Sequence, residues 1–125
     1  MKLNKLYNYP RSMRSVINGG RHYDIEGSKL PSVTTILSAT QSEEKRASLE
    51  AWKARLGDKA ADEVRDTAAT RGTAMHTFLE GYIDGTGHMD LTPLGRQAAI
   101  MANKIIEQGL GDLEEVWGQE VTLYY

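Results

Sequence analysis

The amino-acid sequence predicts an α+β fold from three observations. Two glycine-containing turns within residues 16–31 are typical of a small β meander. Helical segments with capping residues and apolar stripes follow between residues 32 and 108. The last segment, EEVWGQEVTLYY, is rich in the β-branched and aromatic residues that strands favour. The length of 125 residues fits one domain, or part of one.

The composition is that of an ordinary soluble globular protein, with 40% hydrophobic and 26% charged residues and a net charge of -2. Because phosphate attraction acts through local patches, this charge by itself does not predict nucleic-acid binding. The absence of cysteine excludes disulfides, zinc-thiolate sites and thiol nucleophiles. Neither a signal peptide nor an apolar run of about 20 residues is present, so we expect a cytoplasmic protein without membrane contact.

The first part of the chain predicts an arm followed by a meander. Residues 1–20 form a basic, loosely held N-terminal arm with a break at Pro10, and include the start of the meander. Asn18-Gly19 is a strong hairpin signal, and Glu26-Gly27-Ser28 predicts a second turn. The remaining residues, 21–125, are expected to form the main domain.

Four helical segments are predicted after the meander. Ser32 and Ser42 are candidate N-caps of the first two, and Gly57 ends the second. The third covers residues 58–84 as one helix, or as two helices that meet near Gly72, since glycine costs about 1 kcal/mol relative to alanine in a helix interior. Thr92, followed by proline, opens the fourth, which runs to about residue 108.

The third helix places His76 at the edge of an apolar stripe that we expect to be core. The stripe comprises Met75, Phe78, Leu79, Tyr82 and Ile83. His76 shares a row with Glu80, so one interpretation is a boundary histidine hydrogen-bonded to that carboxylate. A second is a metal or phosphate contact, with Arg71 and Thr73 facing an anion and Gly72 allowing another backbone to approach. A zinc pair of His76 and Glu80 is a weaker third, because structural zinc needs four ligands.

Three segments, in order and at their spacing, resemble a known family. YDIEGSKLPSVTTILSAT, LEAWKARLG and RGTAMHTFLEGYI are similar to segments of phage-type exonucleases of the PD-(D/E)xK superfamily, close to the mitochondrial genome maintenance exonuclease and RecB-like nuclease domains. The resemblance covers about residues 21–125. It implies a restriction-endonuclease-like fold, represented here by the meander, the helical wall and the first core strand.

The resemblance also implies an activity and a site. The family cleaves DNA phosphodiesters with Mg²⁺ or Mn²⁺, and a phage-encoded member would act in the host cytoplasm on DNA processing or recombination. The histidine of the Gly-x-x-x-His element, here His76, would lie beside the metal as a catalytic residue. The glutamate of the first core strand would be Glu120, whose alternative is an exposed strand carboxylate.

One departure from the family limits this expectation. Metal-assisted hydrolysis needs a set of carboxylates and a lysine, which the family supplies from a G-x-x-D segment and a following (D/E)-x-K strand. No (D/E)-x-K triplet follows the histidine in this sequence, and we expect both family elements to come after residue 125. The triplet Glu43-Glu44-Lys45 lies in the first turn of a helix, where its charges suit capping and dipole roles. We therefore expect an incomplete N-terminal portion of a nuclease that does not cut DNA alone.

DNA contacts are predicted on three segments. Ser32, Thr34 and Thr35 can donate to phosphate at a helix start, although helix capping explains them equally well. Lys53 beside a tryptophan suggests a stacking and phosphate-contacting strip, with a solvated helix face as the alternative, and Arg71 is the stronger basic candidate. The rival function is a non-catalytic DNA- or partner-binding remnant. It would complete or inhibit a second polypeptide through an exposed strand at residues 119–125.

Overall fold

The computed structural model describes all 125 residues and confirms the α+β class. Helix accounts for 53% of the residues and strand for 15%, in two small separate sheets. The chain divides into two compact units. The first contains Met1–Tyr7 and Leu56–Gln119, and the second contains Asn8–Arg55 and Glu120–Tyr125. The boundary predicted at residue 20 therefore does not coincide with a boundary between the two units.

The second unit contains the predicted meander. Strands β2 (Met13–Ile17), β3 (Gly20–Ile25) and β4 (Ser28–Pro31) form an antiparallel sheet in the order β2-β3-β4. Both connections are two-residue turns with positive φ at each position, Asn18-Gly19 and Glu26-Gly27. That conformation matches the twist of the flanking strands, which explains why the asparagine and glycine pattern predicted the hairpins correctly.

Two helices follow the meander. Helix α1 (Val33–Ala39) begins after Ser32, whose side chain accepts a hydrogen bond from the Thr35 amide, as predicted. Helix α2 (Glu43–Leu56) begins after Ser42, whose hydroxyl accepts from the Lys45 amide at 3.3 Å. Neither helix contains a buried residue, although each carries the apolar stripe that its sequence predicts.

The first unit is built on two helices. Helix α3 (Asp58–Asp84) is one continuous helix of 27 residues, and it passes through Gly72 without a break. Helix α4 (Pro93–Ile105) starts with Thr92 as N-cap and continues as a π-helix over Ile106–Leu110. The predicted helix end near residue 108 therefore falls inside this π turn, and the α-helical part ends earlier. None of the helices combines the length and apolar character that a membrane-spanning segment requires.

The buried residues of α3 and α4 are small. The buried positions are Ala61 and Gly81 on α3 and Gly95, Ala98 and Ala102 on α4. The predicted core stripe of α3 is only half-buried, and Tyr82 in it is 48% exposed. The expectation that this stripe is core was therefore wrong in degree, because the fully buried positions of the two helices are occupied by glycine and alanine instead.

A short pair of parallel strands joins the two chain segments of the first unit. Strand β1 (Lys2–Leu3) pairs with β5 (Glu115–Val116). This pairing corrects two expectations. Residues 2–3 are not part of a loose arm, and the strand predicted to continue to residue 125 ends at Val116. Glu120 has a φ of 51°, which interrupts any extended strand because non-glycine residues in strands have negative φ.

The carboxylate of Glu115 gives this pairing a pH dependence. It accepts hydrogen bonds from the Trp117 indole at 2.9 Å and from the Asn4 amide at 2.6 Å, and these bonds lower the pKa of Glu115 below its ordinary value of 4.5. A carboxyl with a depressed pKa stabilises the folded state above the ordinary pKa, and this contribution is lost as the pH falls through the lowered value.

We expect tryptophan fluorescence to change as the pH is lowered from about 6 towards 3, because protonation of Glu115 weakens its bond from the Trp117 indole. A fluorescence titration of Glu115→Gln supplies the control. Its amide cannot titrate, so this transition should disappear, whereas an identical titration in both proteins would assign the change to another group.

Candidate functional site

His76 lies on the exposed surface of α3, beside the half-buried Met75. It starts a row that continues at intervals of one helical turn with Glu80 and Asp84. The row is held at its far end by Gln119, whose side-chain amide donates to the Glu80 carbonyl at 3.2 Å and to the Asp84 carboxylate at 2.6 Å. The edge position predicted for His76 is a solvent-accessible one.

The amide of Gln119 is the part of this row that sequence reasoning missed. Its carbonyl oxygen is buried and has no hydrogen-bond partner, while its nitrogen makes both bonds to α3. Gln119 is separated from Asp84 by 35 positions in sequence. No local periodicity connects residues at that separation, so only the folded chain reveals the contact.

Arg71 lies about 1.4 helical turns before His76 and is half-buried. One of its terminal nitrogens donates to the side-chain oxygen of Gln97 at 3.2 Å, which ties α3 to α4. A guanidinium has five N–H donors, so this bond leaves most of them for a phosphate. Thr73 is exposed nearby, and its carbonyl accepts from the Thr77 hydroxyl at 3.1 Å.

The hydroxyl cluster at the start of α1 forms a cap. The Ser32 hydroxyl lies 3.1 Å from the Thr34 hydroxyl and 2.8 Å from the Thr35 hydroxyl, in addition to accepting from the Thr35 amide. Thr35 in turn donates to the carbonyl of Arg21 at 3.2 Å. These bonds are the ones expected if Ser32, Thr34 and Thr35 cap the helix. Contact of the three residues with phosphate stays a prediction, and Thr34, which is exposed, is the member best placed for it.

Lys53 is exposed in the last turn of α2, and the neighbouring Trp52 is half-buried. The ion pair on this helix, between Arg46 and Glu43 at 3.9 Å, does not involve Lys53. The sequence allowed two interpretations of Lys53, a solvated helix face or a phosphate-contacting strip. The exposure of its side chain is consistent with both.

Glu120 borders a groove that no pattern in the sequence predicted. The groove has a volume of about 760 Å³, and its apolar lining comes from β3, β4, α1 and residues 121–125. Residues 120–125 form one wall, held by a 2.9 Å bond between the Ser12 and Thr122 hydroxyls and by donation from the Tyr124 hydroxyl to Glu26. The bond to Glu26 and the charge of that carboxylate raise the pKa of Tyr124. Ser32 also lines the groove, so two of the predicted site residues meet there.

No group of three or more His, Cys, Asp or Glu side chains lies together in the structure as a set that could hold a metal ion. The magnesium site that the resemblance implies and the zinc alternative stay predictions. His76 and Arg71 belong to the first unit, whereas the hydroxyl cluster, Lys53 and Glu120 belong to the second.

No protein-family model, curated protein or solved structure is similar enough to the chain to count as a match.

Proposed function

We propose that the chain is the helical, DNA-contacting part of a Mg²⁺-dependent DNA exonuclease of the PD-(D/E)xK type. The observation that carries this proposal is the exposed position of His76 on α3, within the segment RGTAMHTFLEGY. An imidazole in that position is open to a metal-bound phosphate, and Arg71 has donors left for the DNA backbone. The catalytic carboxylates and lysine come from another segment or another polypeptide, so this chain binds DNA without cutting it.

Salt-dependent DNA binding tests the proposal. We expect the purified chain to bind a fluorescein-labelled DNA duplex, with an affinity that falls steeply as salt rises from about 50 to 200 mM, and to leave the duplex intact in the presence of Mg²⁺. Replacing Arg71 by alanine should weaken binding about three- to tenfold and reduce the salt slope by about one, because one phosphate contact is lost.

Arg65→Ala is the matched control, since Arg65 is also on α3 but pairs with Asp62 at 3.1 Å and with Asp66 at 3.8 Å. Its binding should equal that of the unmodified chain. Equal losses in the two variants would mean that binding follows overall charge and not the Arg71 position. Cleavage of the duplex by the chain alone would contradict the incomplete site.

A second candidate function, a partner-binding module without nuclease activity, is supported by the apolar faces of α1 and α2. Val33 is 71% exposed, Leu37 62% and Leu49 45%. Stripes of this kind normally lie against another element, so the polypeptide that carries the missing catalytic segment is the partner we propose. A folded chain that fails to bind DNA even at low salt would favour this function over the first.

A further inference from the structure

The outer edge of β2 is open. In a two-residue hairpin, Ile17 and Gly20 exchange hydrogen bonds, so the backbone groups of Met13, Ser15 and Ile17 point towards β3. Those of Arg14 and Val16 consequently point away from the sheet. No backbone group of another segment hydrogen-bonds to them. The edge therefore presents an unused set of N–H and C=O groups with the spacing of a strand.

The opposite edge of the same sheet is protected, which makes the exposure of β2 significant. On β4 the residues with outward-pointing backbone groups are Lys29 and Pro31. Proline has no N–H to donate, so this edge lacks one outward donor. The chain then turns into α1 immediately after Pro31. β2 contains no proline, so of the two edges it is the one that can accept a further strand.

The side chains along β2 define the chemistry of that strand. Because side chains alternate between the two sides of a strand, Arg14 and Val16 share one side with Arg21, which lies opposite Val16 on β3. Neither arginine takes part in an ion pair. The other side carries Met13, which is 72% exposed, and Ile17, which is 37% exposed. A complementary strand would place carboxylates on the first side and apolar residues on the second.

The arginines also argue against a second copy of this chain as the occupant. If two β2 strands paired antiparallel over their full length, Ser15 would lie opposite Ser15 of the copy. Each Arg14 would then lie diagonally across from the other, at about 7–8 Å, with both copies of Arg21 on the same side. Like charges at that distance weaken the pairing, whereas carboxylates in the same places strengthen it.

We propose that the open edge of β2 binds an extended acidic segment of another protein, in which acidic and apolar residues alternate, as an added strand of the meander. The backbone bonds to Arg14 and Val16 supply affinity, and the two arginines select the acidic side chains. This inference goes beyond the proposed function, since it requires neither DNA nor His76.

A labelled peptide of about nine residues with alternating valine and glutamate is the probe, and its valine-lysine counterpart is the control. We expect the unmodified chain to bind only the glutamate peptide in an anisotropy titration. Val16→Pro should weaken binding at least about tenfold, because proline removes an outward N–H without breaking a bond to β3. Val16→Thr keeps that N–H and should stay within about twofold.

Two further measurements keep the test independent of the folding of the proline variant. Combined Arg14→Glu and Arg21→Glu should abolish binding of the glutamate peptide and create binding of the lysine peptide. Amide exchange at Arg14 and Val16 in the unmodified chain should slow when the glutamate peptide is bound.

Several outcomes would overturn the proposal. These are no binding by the folded chain, unchanged binding in a folded Val16→Pro variant, or no preference between the two peptides. Displacement of the peptide by random-sequence duplex DNA, with the Arg14 and Val16 amides unprotected, would assign the face to nucleic acid. A dimer in sedimentation analysis that Val16→Pro dissociates would assign the edge to a second copy.

Discussion

Replacing Gly81 by alanine is expected to lower the free energy of unfolding by about 1–3 kcal/mol, although alanine is the better helix former. An added Cβ at this position would lie 2.6 Å from the carbonyl oxygen of Gly87. That atom belongs to backbone, and the Gly87 amide donates to the Gly81 carbonyl at 3.0 Å. The loop cannot move away without losing this bond, so overpacking outweighs the helix-propensity gain of about 0.5–1 kcal/mol.

Gly72→Ala is the matched control on the same helix. Nothing lies within 4 Å of the position that its Cβ would take. The propensity gain should therefore appear alone, as a stabilisation of about 0.5–1 kcal/mol. Urea unfolding followed by circular dichroism measures both variants. A stable Gly81→Ala protein would show that the Gly87 loop does not lie against α3 as described.

Replacing Ile25 by alanine is expected to destabilise the meander by about 2–4 kcal/mol, through lost burial and the cavity left behind. Ile25 is 5% exposed and is the one large side chain among the buried hydrophobic residues of the chain. It lies on β3 and lines the groove together with Tyr23 and Leu30. A unit with so little buried apolar surface has few contacts that could replace this one.

Ile17→Ala removes the same atoms from the same sheet, at a position that is 37% exposed. It should cost about 1 kcal/mol or less, because much of this side chain is already in contact with water. Amide exchange of β3 as a function of urea reports the opening of the meander directly. Equal losses in the two variants would mean that Ile25 is no more important to the meander than an edge residue.

Local patterns in the sequence were sufficient to predict most of the secondary structure. Asn18-Gly19 and Glu26-Gly27 form the predicted turns with positive φ, and Ser32 forms the predicted cap. Gly72 did not divide the third helix, because its unfavourable helix propensity, about 1 kcal/mol relative to alanine, is small compared with the stability of the surrounding helical residues. The strand predicted at the end of the chain ends at Val116 and cannot run through Glu120, whose φ is positive, a conformation that strand propensity does not reveal.

The candidate site was accessible to sequence reasoning only in part. Periodicity placed His76 at the border of the α3 stripe, and the structure puts it on an exposed surface. Periodicity could not indicate that Gln119 reaches Asp84, that Arg71 bonds to Gln97, or that residues 120–125 form a groove wall. These contacts join positions that no helical or strand repeat relates.

The sequence by itself determined where the helices begin and where the two hairpins turn, because caps and turns depend on hydrogen bonds and φ angles within a few residues. The tertiary structure decided which apolar faces are covered. The stripes of α1 and α2 look like core in the sequence but contain no buried residue, while Gly81 and Ala98 lie inside. The hydrophobicity of a side chain indicates that it favours burial. Whether it is buried depends on which distant part of the chain packs against it.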